Sequence, residues 1–222
     1  MASPELTVVT ALDDSEAEPG QDDEVADALL VAARAQMETF GIRRLRMDDV
    51  AKQAGYGRAT LYRRFATRDE LVWAVIIREV RATLAEIEAA ITDLATFRDR
   101  LVEAFAATVE KVRTHPLLQR LIQIEPDLLL PHLTTGAPDA LSVARKPMRR
   151  LLQQGRDSGD LGPIDLDIAA EVMIRLAHSL VLTPGGPIEA TDPAGLRRFA
   201  ATHVVDPLLH LSALAGGPAA RP

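Results

Sequence analysis

The sequence predicts an all-α protein that carries a helix-turn-helix between Leu45 and Leu71. Three observations predict it. Apolar residues recur at helical spacing in one segment after another of the 222-residue chain, and no stretch alternates as a strand would. Glycine and proline punctuate those segments at Gly41, Gly55, Pro116, Pro126, Pro184 and Pro193. Between Leu45 and Leu71, a short helix, a tight turn, a second short helix and a capped helix start follow one another.

In chain order, residues 1–21 carry Asp13, Asp14, Glu16, Glu18, two prolines and no basic residue. Such a segment buries too little to fold, and it is expected to be a disordered acidic tail. Asp22 or Asp23 can cap a first helix that turns Leu30, Ala33, Met37 and Phe40 inward and ends at Gly41. In the second helix Met47, Val50, Ala51 and Ala54 form one small apolar stripe, and Gly55 supplies the turn. In the third, Leu61 and Phe65 point inward. Thr67 and Glu70 form a capping box that opens a long helix reaching about Ile91, with Trp73, Ile76, Ile77, Val80, Leu84 and Ile87 at helical spacing. Residues 22–70 are thus expected to hold the helix-turn-helix and the helix before it, 71–214 the remaining helices, and 215–222 a flexible tail.

Proline sets the rhythm of the body. Thr96 can cap a helix to Thr114, and His115-Pro116 ends it because the residue before proline is pushed out of helical geometry. Short helices follow over 117–125 and from Pro126 to about Leu133, then a loop over 134–138. A helix from about Asp139 to Asp157 is expected to kink near Pro147. Asp165 or Asp167 can cap a strongly apolar helix over 168–182, and Asp192-Pro193 starts a last helix that bends at Pro207.

Function is carried by the third helix. With Leu61 and Phe65 inward, Arg58, Thr60, Tyr62, Arg63 and Arg64 are left on the outer face. Donors, guanidinium forks and an aromatic hydroxyl suit phosphates and base edges. The net charge of −7 argues against such a partner until its distribution is considered. Arg43 to Arg68 contains eight basic and two acidic side chains, a segment of +6 that leaves −13 on the remainder. A basic patch on an acidic body orients a protein on DNA.

GRATLYRRFATRDEL, from Gly57 to Leu71, resembles the recognition-helix signature of the TetR family of bacterial one-component transcription regulators. MDDVAKQAG resembles the helix before it, and the likeness runs without gaps from about Leu29 to about Val75. The resemblance implies a three-helix DNA-binding head, a helical body that binds a small-molecule effector, and a homodimer on a palindromic double-stranded operator. Thr60, Tyr62 and Arg68 match positions that meet phosphate or the edge of the motif. Arg58 and Arg63 are the candidates for base edges, and Tyr56 either stacks on a sugar or covers the small core. Three positions depart from the family pattern: Arg46 where Thr or Ser commonly caps, Gly57 where Ser is frequent, and Arg64 where His or Tyr is common.

The effector is expected to be apolar or amphipathic. Candidate lining residues are Phe105, Val109, Ile122, Glu125, Met148, Leu152, Met173, Arg175 and Leu176, with Phe97, Leu121, Leu129, Thr108 and His178 beside them; the apolar ones serve a solid core equally well. The apolar helices over 168–182 and 196–211 are expected to form the dimer interface. Zero cysteines exclude thiolate metal sites and fit a cytoplasmic protein. No apolar run approaches the ~18 residues of a membrane span, and the acidic start does not read as a signal peptide. The five histidines form no close pair at ligand spacing, and no nucleophile elbow or phosphate-binding glycine loop occurs, so neither metal, cofactor nor catalysis is expected. Two other readings stay open on the residues alone: a helical protein-binding module, and a helical enzyme with no DNA role.

Overall fold

The computed structural model describes residues 21–134, 137–188 and 190–215. Among these all regular structure is helical. The helices are α1 (Gln21–Phe40), α2 (Met47–Gln53), α3 (Arg58–Arg64), α4 (Arg68–Thr92), α5 (Phe97–Thr114), α6 (Pro116–Ile124), α7 (Pro126–Leu133), α8 (Ala137–Asp157), α9 (Leu166–Leu182), α10 (Pro193–Phe199) and α11 (Asp206–Ala215), with a π-helical stretch, Ala200–Val205, between the last two. The acidic segment 1–20 and the C-terminal residues 216–222 lie outside the described residues.

The chain divides into two compact units. One holds residues 1–81 and 115–140; the other holds 82–114 and 141–222. This differs from the expected break at residue 70, because α6 and α7 belong to the head. Leu117 and Leu121 of α6 are buried in the same cluster as Leu29, Met37, Val50, Leu61 and Phe65. Ile122, expected among the residues of an effector site, packs against that cluster too and does not line the cavity of the second unit.

Glu125 is the second correction. It was expected to line a cavity, yet it is buried in the head, where it closes the turn after α1. Gly41 has φ +81°, and a Cβ there would lie 2.9 Å from the Glu125 carboxyl. The chain thus turns so that the Ile42 and Arg43 amides donate to the two Glu125 oxygens, at 2.5 and 3.0 Å. Arg43 also pairs with Asp127, and Arg120 donates to the Glu38 carbonyl at 3.2 Å. The C-terminal end of α1 is held by groups about eighty residues later in sequence.

Several local expectations shift. Asp22 and Asp23 lie within α1, which is already helical from Gln21, and Phe40 is 55% exposed while Leu29 takes the inward place. Asp165 caps α9 and Asp192 caps α10, each accepting two backbone amides. Pro147 sits within a helix assigned without a break. Where a bend was expected at Pro207, the chain instead runs through the π-helical stretch Ala200–Val205 just before it. The proline ring would crowd the carbonyl of His203, and the preceding turn widens to a five-residue register, in which the Asp206 amide bonds to Ala201.

The second unit packs around Phe105, Leu101, Leu152, Met173 and Leu196. Arg98 forks onto Asp206 at 2.6 and 2.9 Å, and Arg197 forks onto Glu103 with both bonds at 2.6 Å, tying α5 to α10 and α11. Gly155 of α8 is required by a close approach: a Cβ there would lie 2.1 Å from the buried ring of Phe97. Gly155→Ala is therefore expected to cost about 1–3 kcal/mol of overpacking. A urea unfolding curve checks this, and an unchanged midpoint would mean that the ring moves freely.

Candidate nucleic-acid interface

The two short helices are built from little. α2 buries Met47, Val50 and Ala51; α3 buries Leu61, with Phe65 just beyond its end. Between them Gly55 takes φ +80°, a conformation that costs glycine little, and the Tyr56 amide returns to the Ala51 carbonyl at 2.9 Å. This fixes α3 against α2 with its other face outward. The start of α4 is capped as expected on one side: Thr67 Oγ1 accepts the Glu70 amide at 3.1 Å. The Glu70 carboxylate reaches one residue further back than the usual box, to the Ala66 amide at 2.8 Å.

The outward face is basic and ordered by its own side chains. Arg58 donates to Asp48 at 3.1 Å, and its guanidinium carbon lies 5.2 Å from the centre of the Tyr62 ring. Tyr62, Arg63, Arg46 and Arg68 are exposed; Tyr56 and Thr60 are half-buried. Arg68 lies 3.4 Å from its neighbour Asp69. Arg63 and Arg46 have no side-chain partner among the described residues. Arg64 departs from the expected outward pose. It stands three residues after Leu61, on the flank of the buried stripe, so it is half-buried with one guanidinium nitrogen enclosed. Arg46 precedes α2 in extended geometry and offers no side-chain cap, since a guanidinium has no acceptor.

The family model described as bacterial regulatory proteins, tetR family, matches residues 29–75, and the one described as the C-terminal domain of the bacterial tetracyclin repressor matches residues 97–208. The chain belongs to the TetR family. It is a helix-turn-helix transcriptional regulator. An HTH-type transcriptional regulator of Mycobacterium tuberculosis is 29% identical to this TetR-family chain over 196 residues, 87% of this chain and 91% of the relative. The TetR-family repressor AlkX of Dietzia sp. has a similar fold, with a TM-score of 0.62 at 22% identity over 86% of this chain and 97% of that one. RolR in complex with resorcinol is similar at a TM-score of 0.61 and 17% identity, over 91% and 96%.

Among the cavities of the second unit, one of about 180 Å³ lies between α4, α5, α8 and α9. It is walled by Leu84, Ile87 and Ile91 of α4, Ala104 and Thr108 of α5, Ala144, Pro147, Met148 and Leu151 of α8, and Ile174 of α9, with Glu88, Thr92, Arg100, Arg150 and Gln154 as further polar groups. Of the candidate effector residues, Met148 lines it, and so does Thr108. Phe105, Val109, Leu152 and Met173 are filled core. Leu176 is half-buried against that core. Arg175 stands at the i+7 position from Ile168 on the outer face of α9, 62% exposed and bound to Glu171 at 2.5 Å. Phe97 and Leu121 are core residues of separate units, and the side chain of Leu129 lies outside the described residues. Arg100, Ala104 and Thr108 were legible as a second stripe, at i, i+4 and i+8 beside the apolar face of α5. Among the described residues no cluster of potential metal ligands occurs, and no helix is long and apolar enough to cross a membrane.

Proposed function

We propose that this regulator is a homodimeric repressor that binds palindromic double-stranded operator DNA through α3 and is released by a small-molecule effector in the body. The observation that carries the DNA reading is the outward face of α2 and α3: unpartnered Arg46 and Arg63, with Arg58 held between Asp48 and Tyr62. Both members of the Arg58–Asp48 pair are more than 60% exposed, so the pair orients Arg58 at little cost and releases it readily to a base or phosphate. Arg58 and Arg63 read base edges; Tyr62, Thr60 and Arg68 grip phosphate; Tyr56 and Arg64 flank them.

Dimerisation is supported by apolar side chains left exposed in the second unit. Ile168 and Val172 are 61% and 58% exposed on one face of α9, and Leu211 and Leu214 are 61% and 65% exposed on α11. Two such subunits would place recognition helices in successive major grooves about 34 Å apart. Control by the body is supported by the chain path, which passes between the units after residues 81, 114 and 140. Helices α4 and α5 line the cavity and lead directly into head segments. An effector acts only by binding one conformation more tightly than the other. Selection of duplexes from a random pool tests this: a two-fold symmetric consensus with half-sites one turn apart is expected, and an asymmetric single site would overturn the dimeric reading.

Arg46 gives a second test. Arg46→Thr supplies the missing cap and should stabilise the free protein by about 1 kcal/mol. It should also weaken DNA binding and lower the slope of log affinity against log salt by about one phosphate contact per half-site. Melting and a salt titration on both proteins decide; an unchanged slope would make Arg46 a surface residue with no part in binding.

A further inference from the structure

The cavity in the second unit has an unbalanced charge. Its charged lining groups are Glu88, Arg100 and Arg150, two cations against one anion. Glu88 and Arg150 face each other at 3.6 Å on a well-exposed part of the wall. Arg100 makes no ion pair among the described residues. Its Nε is enclosed without a hydrogen-bond partner, and its guanidinium carbon sits 5.8 Å from the centre of the Phe97 ring. Arginine does not shed its proton, so a lining guanidinium without an ion pair keeps its full charge at the cavity wall. The opposite character holds elsewhere: Leu84, Ile87, Ile91, Met148, Leu151 and Ile174 form an apolar wall. Thr108 offers little competition for a ligand, since its hydroxyl already donates to the Ala104 carbonyl at 2.7 Å.

We propose that the cavity receives a small organic monoanion, a carboxylate on an aromatic ring or short alkyl body, and that Arg100 binds the carboxylate. This rests on the reading of the body as an effector receiver and names the class of effector. A planar guanidinium matches a carboxylate geometrically, and charge-assisted bonds are the strong ones. The free space of about 180 Å³ is of the size that holds one ring or a short chain. One negative charge also balances the lining groups.

The test uses the full chain, with benzoate and octanoate as probes and benzamide and octanamide as their neutral counterparts. Calorimetry should show at least one acid binding about tenfold or more tighter than its amide. Arg100→Gln should erase that preference, and Arg100→Lys, which keeps the charge, should retain part of it. The acid-to-amide comparison in the unaltered protein decides even where a variant folds poorly. Amides binding as well as acids, a preference that survives Arg100→Gln, or no binding of either acid overturns the proposal. Ala144→Leu separates this from failure of the underlying reading, because it narrows the cavity without altering its charge. A changed operator affinity in Ala144→Leu with no acid bound leaves body control standing and rejects the carboxylate; an unchanged affinity with no acid bound rejects both.

Discussion

Glu125→Ala lowers the stability of the head by about 3 kcal/mol, a loss expected from two backbone amides left without acceptors in a buried site. The Ile42 and Arg43 amides donate to this carboxylate, and Ile42 and Glu125 are only 6% and 7% exposed, so water cannot replace it without opening the turn. The melting transition should fall by about 6–12 °C. Glu125→Gln should lose less, because its one carbonyl oxygen can keep one of the two bonds while its NH₂ faces the other donor. Calorimetric melts of the three proteins test this. An alanine variant that melts within a degree of the parent would show that the turn after α1 holds itself. Operator binding should weaken with stability, since Glu125 fixes the segment that leads from α1 into α2.

Arg63→Ala has the largest expected effect on DNA binding. The side chain is exposed on α3, has no partner among the described residues, and leaves no competing ion pair to break on binding. A bidentate arginine–guanine contact contributes about 1–3 kcal/mol, and a homodimer loses it twice, for about 2–6 kcal/mol on a symmetric operator. The loss should be smaller on scrambled duplex, and preference should relax at one position in each half-site. Tyr62→Phe, by contrast, should cost roughly 1 kcal/mol per half-site on both duplexes, as a lost phosphate hydrogen bond does. Anisotropy titrations of both variants on both duplexes separate the roles; an equal loss for Arg63→Ala on the two DNAs would make it a phosphate contact.

Most of the head was legible in sequence because its determinants are local. The stripe of Met47, Val50 and Ala51, the turn at Gly55 and the cap at Thr67 each act within a few residues of themselves. The same holds for Asp165 and Asp192, whose side chains cap the helices that follow them. What sequence reading missed depends on distant partners. Leu117 and Leu121 look like core residues of any helix, and nothing nearby says that the core is that of the head. Glu125 looked like a polar group available to a ligand, and only the amides 82 and 83 residues earlier reveal its role. The cavity escaped for a related reason. Periodicity finds the most apolar face of α5, which is the filled core at Leu101, Phe105 and Val109, whereas the open space adjoins the mixed face of Arg100, Ala104 and Thr108.

The central claim is that the basic face of α2 and α3 reads DNA sequence and is not only attracted to polyanions. Competition measures this most directly. The duplex enriched from the random pool is bound by the full chain at one fixed salt concentration, and unlabelled random-sequence duplex is then added. The enriched duplex should be held about a thousandfold or more tighter than random DNA, the range of specific regulators. A ratio near one, with both affinities collapsing alike as salt rises, would contradict it.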